Sequence, residues 1–259
     1  MSRRIRDERH NGVPRALVEA GRRPLTRVFA HRGCTETGMV ENTLDAFDEA
    51  RRLAADGVEL DVRLTADGAL AIHHDAEVPG LGPICELGVA DLPAHVPLLA
   101  DALAACQGMV VNVEIKNAPQ DPGWDPAEAV AAVTASAIEE SGWTDRVIVS
   151  SFQPSTLRAV LAADGRLALG ALWGWTVDPL PALAEAASAG FEAVHPIVTT
   201  VTPVLADRAH QAGLALNVWA ANARHDLEAM VALGVDAVIT DRLVEALEVA
   251  RAGGADGAG

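Results

Sequence analysis

Gly57-Val58-Glu59-Leu60-Asp61-Val62-Arg63-Leu64-Thr65-Ala66-Asp67-Gly68-Ala69-Leu70-Ala71-Ile72-His73-His74 is the stretch on which the fold turns. Apolar residues at 58, 60, 62 and 64 alternate with polar ones, the period-two pattern of a strand with one buried face. Asp67-Gly68 then separates this run from a second short apolar run, and such a dipeptide between two strands marks a hairpin. Along the whole chain nine runs read as strands: 27–31, 57–62, 69–73, 109–115, 146–151, 166–173, 191–195, 213–219 and 236–240. With 69–73 folded back on 57–62, eight remain for the main sheet.

Helical patterns fill 43–55, 98–106, 126–141, 154–163, 179–189, 201–212, 225–233 and 242–252. Pro154 and Pro203 suit first helical turns, and Gly57, Gly213 and Gly234 stand where helices should stop. Strands alternating with helices about eight times define an α/β chain with a parallel sheet, closed as a (β/α)8 TIM barrel. A doubly wound sheet is the alternative, but no Gly-rich dinucleotide fingerprint follows a strand. Residues 75–97, rich in Pro and Gly, read as a short insertion after the second strand's hairpin, over the barrel mouth. The expected organisation is a basic extension over 1–25, flexible or loosely docked, one catalytic domain over 26–252, and a disordered tail over 253–259.

Composition narrows the function. Half of the 259 residues are hydrophobic, aromatics are 3 % and Tyr is absent, so the core must be built from Ala, Val and Leu. A net charge of −16 argues against nucleic acid as a partner and against stable association with an anionic membrane. Residues 1–30 carry a net +5, but without the apolar stretch of a signal peptide. No run is long enough to span a bilayer. Three cysteines at 34, 85 and 106 have no metal-type spacing, and an odd count outside a disulfide framework fits a reducing, cytoplasmic setting. Cys34 lies near His31, but a small buried residue outweighs a catalytic thiol there. The sequence sets no oligomeric state.

In a barrel the C-terminal strand ends share one face. His31 and Arg32 end the first strand; Glu59 and Asp61 lie on the second, with His74 on its hairpin; Glu114 and Lys116 end the third. Spacing by two puts both members of Glu59/Asp61, and of Glu114/Lys116, on one strand face. Charges facing a barrel interior are prohibitive without a partner, and one divalent cation is the economical partner for three carboxylates. Oxygen ligands favour Mg²⁺ or Ca²⁺, with Mn²⁺ a third candidate, over Zn²⁺. Arg32 and Lys116 beside that cation imply an anionic ligand, and a phosphate fits both. Two imidazoles flanking a metal-clamped phosphate can supply a base and an acid for phosphoryl transfer. His73 should face away. His95, His195, His210 and His225 read as loop or helix residues.

Taken in order, His31-Arg32-Gly33, Glu41-Asn42-Thr43, Glu59-Leu60-Asp61-Val62, His74-Asp75, Val113-Glu114-Ile115-Lys116, Ser151-Phe152, Val218-Trp219 and Ile239-Thr240-Asp241 resemble the glycerophosphodiester phosphodiesterase family. The resemblance covers about residues 28–245. It implies a (β/α)8 barrel that binds one divalent cation and hydrolyses a small-molecule glycerophosphodiester to glycerol 3-phosphate and an alcohol. By position it makes Glu59, Asp61 and Glu114 the metal ligands, His31 and His74 the acid–base pair, and Arg32 and Lys116 the phosphate clamp. It further implies that Glu41 orients His31, and that Trp219 and Phe152 line the substrate pocket. Val40, Ala220, Ala221 and the stretch after His74-Asp75 depart from the family pattern, which bears on the alcohol and not on the reaction. The alternatives are a lysophospholipase D or sphingomyelinase D-like enzyme, which needs an apolar entrance; an enolase-like lyase, which has no use for two histidines; and a non-catalytic phosphate binder, which predicts a degraded site.

Overall fold

The computed structural model describes residues 25–256; the basic extension expected at 1–25 lies, but for Leu25, outside the described residues. The main-sheet strands are β1 (Arg27–His31), β2 (Gly57–Leu64), β6 (Val110–Ile115), β7 (Val147–Ser151), β8 (Ala168–Trp173), β9 (Ala193–Pro196), β10 (Ala215–Val218) and β11 (Ala237–Thr240). Each pairs in parallel with the next, and β11 and β2 both pair with β1, so the sheet closes on itself. This is the expected eight-stranded barrel. The ninth strand, β3 (Leu70–Ile72), runs antiparallel to β2 with Val62 opposite Ile72 and Leu64 opposite Leu70. Its turn is tied by the Thr65 hydroxyl, which donates to Asp67 Oδ1 at 2.6 Å and accepts from the Ala69 amide at 2.9 Å.

Among the described residues eight helices surround the barrel: α1 (Leu44–Arg52), α2 (Leu99–Ala105), α3 (Ala129–Glu140), α4 (Pro154–Ala163), α5 (Pro179–Ala189), α6 (Pro203–Gln211), α7 (Arg224–Leu233) and α8 (Leu243–Asp256). Three begin on proline, whose missing N–H costs nothing in a first turn. Thr43 caps α1 by accepting from the Ala46 amide at 3.3 Å. Helix α1 leaves through Ala54 at φ 60°, not through Gly57 as the sequence implied. Gly57 instead opens β2, where a Cβ would meet the Phe29 ring at 2.8 Å. Helix α8 runs to Asp256, four residues into the tail expected to be disordered, and Gly253 lies close against Val231 of α7; residues 257–259 are outside the description.

Strand alternation sorts the side chains. Val58, Leu60 and Val62 point outward into the layer between sheet and helices and are fully buried there. At roughly 1.5–3 kcal/mol for each such side chain, this layer holds the strands in register. Phe29, Val110, Ile148 and Ile239, with the smaller Ala168 and Ala237, fill the lower interior. A one-residue slip of β2 would exchange its acids with its valines, so register and site position are fixed together.

Residues 75–97 form a two-stranded hairpin, β4 (Glu77–Val78) with β5 (Gly82–Pro83), and two short 3₁₀ turns. They pack on Ala71 of β3 through Val78, Ile84 and Val96, a small core separate from that of the barrel.

Candidate active site

The C-terminal ends of β1, β2 and β6 bring the expected residues together in two rows across the sheet. His31, Glu59 and Asn112 are partners in register, and so are Asp61, Glu114 and Ser150. Carboxylate oxygens of Glu59, Asp61 and Glu114 all lie within 4.8 Å of one another, and all three residues are buried. Lys116 Nζ reaches Asp61 Oδ1 at 3.0 Å and Glu114 Oε1 at 2.5 Å. Arg32 Nε lies 3.3 Å from Asp61 Oδ2. Asn42, buried at the start of α1, donates from Nδ2 to Asp61 Oδ2 at 2.8 Å.

The three acids are not electrostatically alike. Burial favours the neutral form of Asp61, but Lys116 and Arg32 outweigh it, and its carboxyl falls below the usual range. Glu59 is pushed up to about 8 by burial and by the charge of Asp61. Burial also raises Glu114, and Lys116 offsets this only in part. Asp61 Oδ1 and Glu114 Oε1, though paired in charge with Lys116, accept no aligned hydrogen bond among the described residues. Crowded, dehydrated oxygens with unused lone pairs fit a divalent cation, which would supply the positive charge that one lysine and one arginine leave short.

Local backbone explains the arginine. Arg32 has φ 55°, a left-handed conformation costly for a non-glycine residue. It turns the Arg32 amide back to Glu59 Oε2 at 3.1 Å and lays the guanidinium across Asp61. Gly33 follows at φ 85°, where a Cβ would stand 2.7 Å from that of Ala46, so the chain can pass under α1 only without a side chain.

Glu41 is placed differently from its expected role. Both of its oxygens accept from Arg32, at 3.0 and 3.1 Å, and it holds the guanidinium instead of His31. The carboxylate on His31 is Asp241, at the end of β11, whose Oδ1 accepts from Nδ1 at 2.7 Å. Asn222 fixes Asp241 in turn, donating to its Oδ2 at 2.6 Å and accepting its amide at 2.9 Å. This leaves Nε2 as the free nitrogen of His31, 3.8 Å from Glu59. Burial lowers the His31 pKa, but Asp241 and Glu59 more than compensate, and it ends above its ordinary value.

His74 is held by its backbone. Arg63, buried two residues beyond Asp61 on the same face of β2, donates from Nε and Nη2 to the His74 carbonyl at 2.9 and 2.7 Å, and from Nη1 to Asp121 at 3.0 Å. The His74 ring meets Asp75 Oδ1 at 2.8 Å. Its pKa falls, first through burial and then through Lys116. The two histidines therefore move apart, His31 up and His74 down.

Phe152 and Trp219 meet edge to face at 5.5 Å between centroids, with Lys116 Nζ 6.0 Å over the Phe152 ring. Trp219 is anchored by Nε1 donating to the His195 carbonyl at 2.9 Å. His195 itself is in β9, fully buried, and not in a loop or helix as the sequence reading had it. Asn217 donates to its Nε2 at 2.9 Å, and burial pushes its pKa down to about 3, so the ring is neutral.

Sequence reasoning did not assign Asn42, Asp241, Asn222 or Arg63. The first two lie inside quoted motifs, but nothing in their spacing says which side chain they meet. Asp241→Asn is expected to lower kcat by about 10–100-fold, the usual effect of removing a carboxylate that orients a working group. The alkaline limb of the pH–rate profile should move down, since Asp241 holds the His31 pKa up; an unmoved limb would refute the pairing.

A closed (β/α)8 barrel carrying a buried acid trio, two cationic side chains and two imidazoles at its C-terminal face has the donors to hold a divalent cation beside an anionic ligand. Residues 31–245 match the model of the glycerophosphoryl diester phosphodiesterase family, and the chain belongs to that family of phosphoric diester hydrolases. It is 31% identical to a glycerophosphodiester phosphodiesterase of Caldanaerobacter subterraneus subsp. tengcongensis, over 88% of this chain and 99% of that protein. It is 29% identical to one of Bacillus altitudinis, over 84% of this chain and 95% of that one. Similar folds are a glycerophosphodiester phosphodiesterase from Parabacteroides distasonis (TM-score 0.76, 22% identity, 88% and 97% covered) and an Oleispira antarctica phosphodiesterase solved with its product sn-glycerol-3-phosphate (TM-score 0.77, 21% identity, 87% and 96% covered).

Proposed function

We propose that this site hydrolyses a small-molecule glycerophosphodiester to glycerol 3-phosphate and an alcohol with one divalent cation bound by Glu59, Asp61 and Glu114. The observation that carries the reading is the buried acid trio faced by Lys116 and Arg32. A bound cation would neutralise the trio and polarise a phosphoryl oxygen. Arg32, braced by Glu41, and Lys116 bind the phosphate oxygens. His74, with its lowered pKa, is the base that takes a proton from the attacking oxygen. His31, raised by Asp241, is the acid that gives one to the departing alkoxide. Phe152 and Trp219 form one wall for the organic groups.

Mg²⁺ and Ca²⁺ suit an all-oxygen site, with Mn²⁺ a third candidate. Three free cysteines fit a cytoplasmic setting, where the reaction would serve glycerol and lipid metabolism. Among the described residues no helix is long and apolar enough to cross a membrane.

The test is the purified protein stripped with chelator and assayed on a panel of glycerophosphodiesters, with Mg²⁺, Mn²⁺ and Ca²⁺ restored in turn. Activity on glycerophosphocholine or a relative, lost with chelator and regained with one of these ions, is expected. Preference for lysophosphatidylcholine would overturn the substrate assignment in favour of a lysophospholipase D.

A further inference from the structure

Both rows of the site end on a neutral polar side chain that the proposed chemistry does not use. Asn112 stands beside Glu59 in register and two residues before Glu114 on the same strand face. Ser150 stands beside Glu114 on the next strand. Both residues are fully buried. Among the described residues neither amide atom of Asn112 and not the hydroxyl of Ser150 has a hydrogen-bond partner. Buried polar atoms are nearly always satisfied, by protein or by ordered water. Three such atoms, on adjacent strands roughly 5 Å apart and bordering the acid trio, need a polar occupant that the described residues do not themselves provide.

We propose that Asn112 and Ser150 are the floor of the cation site, holding ordered water against Glu59 and Glu114 from inside the barrel and thereby setting cation affinity. The proposal rests on the reading of Glu59, Asp61 and Glu114 as the cation's ligands. Three carboxylates need not fill a shell of roughly six to eight oxygens, and hard cations keep waters that outer groups must orient. An Asn offers a donor and an acceptor, and a Ser can do either, so the pair can orient water whichever way the carboxylates require. The role is one of positioning: neither residue is required to touch substrate.

Leu has the branching and heavy-atom count of Asn, and Ala removes only the Ser150 hydroxyl. N112L and S150A are to be titrated with Mg²⁺ and with Ca²⁺ in a calorimeter, beside wild type and E114Q, with thermal melts in chelator. Both variants are expected to bind cation about 10–100-fold more weakly than wild type. Their melting temperatures without cation should be equal to that of wild type or higher, because unsatisfied buried groups have been removed. Should either variant fail to fold, the other carries the test. Wild-type affinity in the variants that fold, or a fall in cation-free melting temperature with affinity unchanged, would overturn the floor and make these residues packing alone. Wild type that binds no cation, or E114Q that binds as wild type does, would instead defeat the ligand assignment beneath it.

Discussion

His31→Ala and His74→Ala are each expected to lower kcat at least about a hundredfold, the low end of the usual contribution of a positioned acid or base. The KM of either variant should change little, because phosphate binding falls to Arg32 and Lys116. The pH profiles separate the two roles. The His74 pKa is lowered by burial and by Lys116, so at neutral pH the ring is largely unprotonated and ready to accept. The His31 pKa is raised by Asp241 and Glu59 against the pull of burial, so a larger share is protonated and ready to donate. In a bell-shaped profile of kcat/KM the acid limb therefore belongs to His74 and the alkaline limb to His31. His74→Ala should lose the first and His31→Ala the second. Exchanged limbs would reverse the roles, and retained activity in both variants would remove the pair from the mechanism.

Asp61→Asn and Glu59→Gln should change the stability of the cation-free protein in opposite directions, although both remove one carboxylate from one cluster. The folded pKa of Asp61 is depressed, so its stabilisation is present above the unfolded carboxylate value and is lost as pH falls. At neutral pH the variant gives up its ion pairs with Lys116 and Arg32. Breaking a buried pair costs about 3–5 kcal/mol, and the lower figure applies because Glu114 and Glu41 still hold the two cations. Glu59 is raised, so its contribution is complete below the unfolded value and disappears as pH climbs through about 8. Gln, neutral throughout, escapes that loss. In chelator at pH 9, Glu59→Gln should melt above wild type and Asp61→Asn below it. Both variants should lose cation-dependent activity. Shifts of the same sign would mean that the two acids share their charge more evenly than their surroundings imply.

Much of the barrel could be read along the chain because its period is local. Eight helices and the eight main strands fall within a few residues of their expected bounds, since alternation of Val, Leu and Ala with polar residues is a property of neighbours in sequence. Asp67-Gly68 was enough to remove β3 from the barrel. The insertion's small hairpin escaped notice because Glu77–Val78 and Gly82–Pro83 are too short for any periodicity. The last turn of α8 escaped because glycine-rich composition outweighed the support of Val231.

The site divides in the same way. Spacing by two along β2 and β6 places Glu59 with Asp61 and Glu114 with Lys116, and closure of the barrel brings the two pairs together. The sequence by itself therefore determined the fold, the acid trio and the two cations, because each follows from a period within one strand and from the shared face of strand ends. Only the tertiary structure decided which partner each group meets. Asp241 lies 210 positions from His31 yet accepts its hydrogen bond, Glu41 holds Arg32 instead, and Arg63 grips the His74 loop from beyond Asp61 at the end of β2. Such pairings depend on rotamers, on a left-handed turn at Arg32 and on the register of strands far apart in the chain, and no local pattern encodes them.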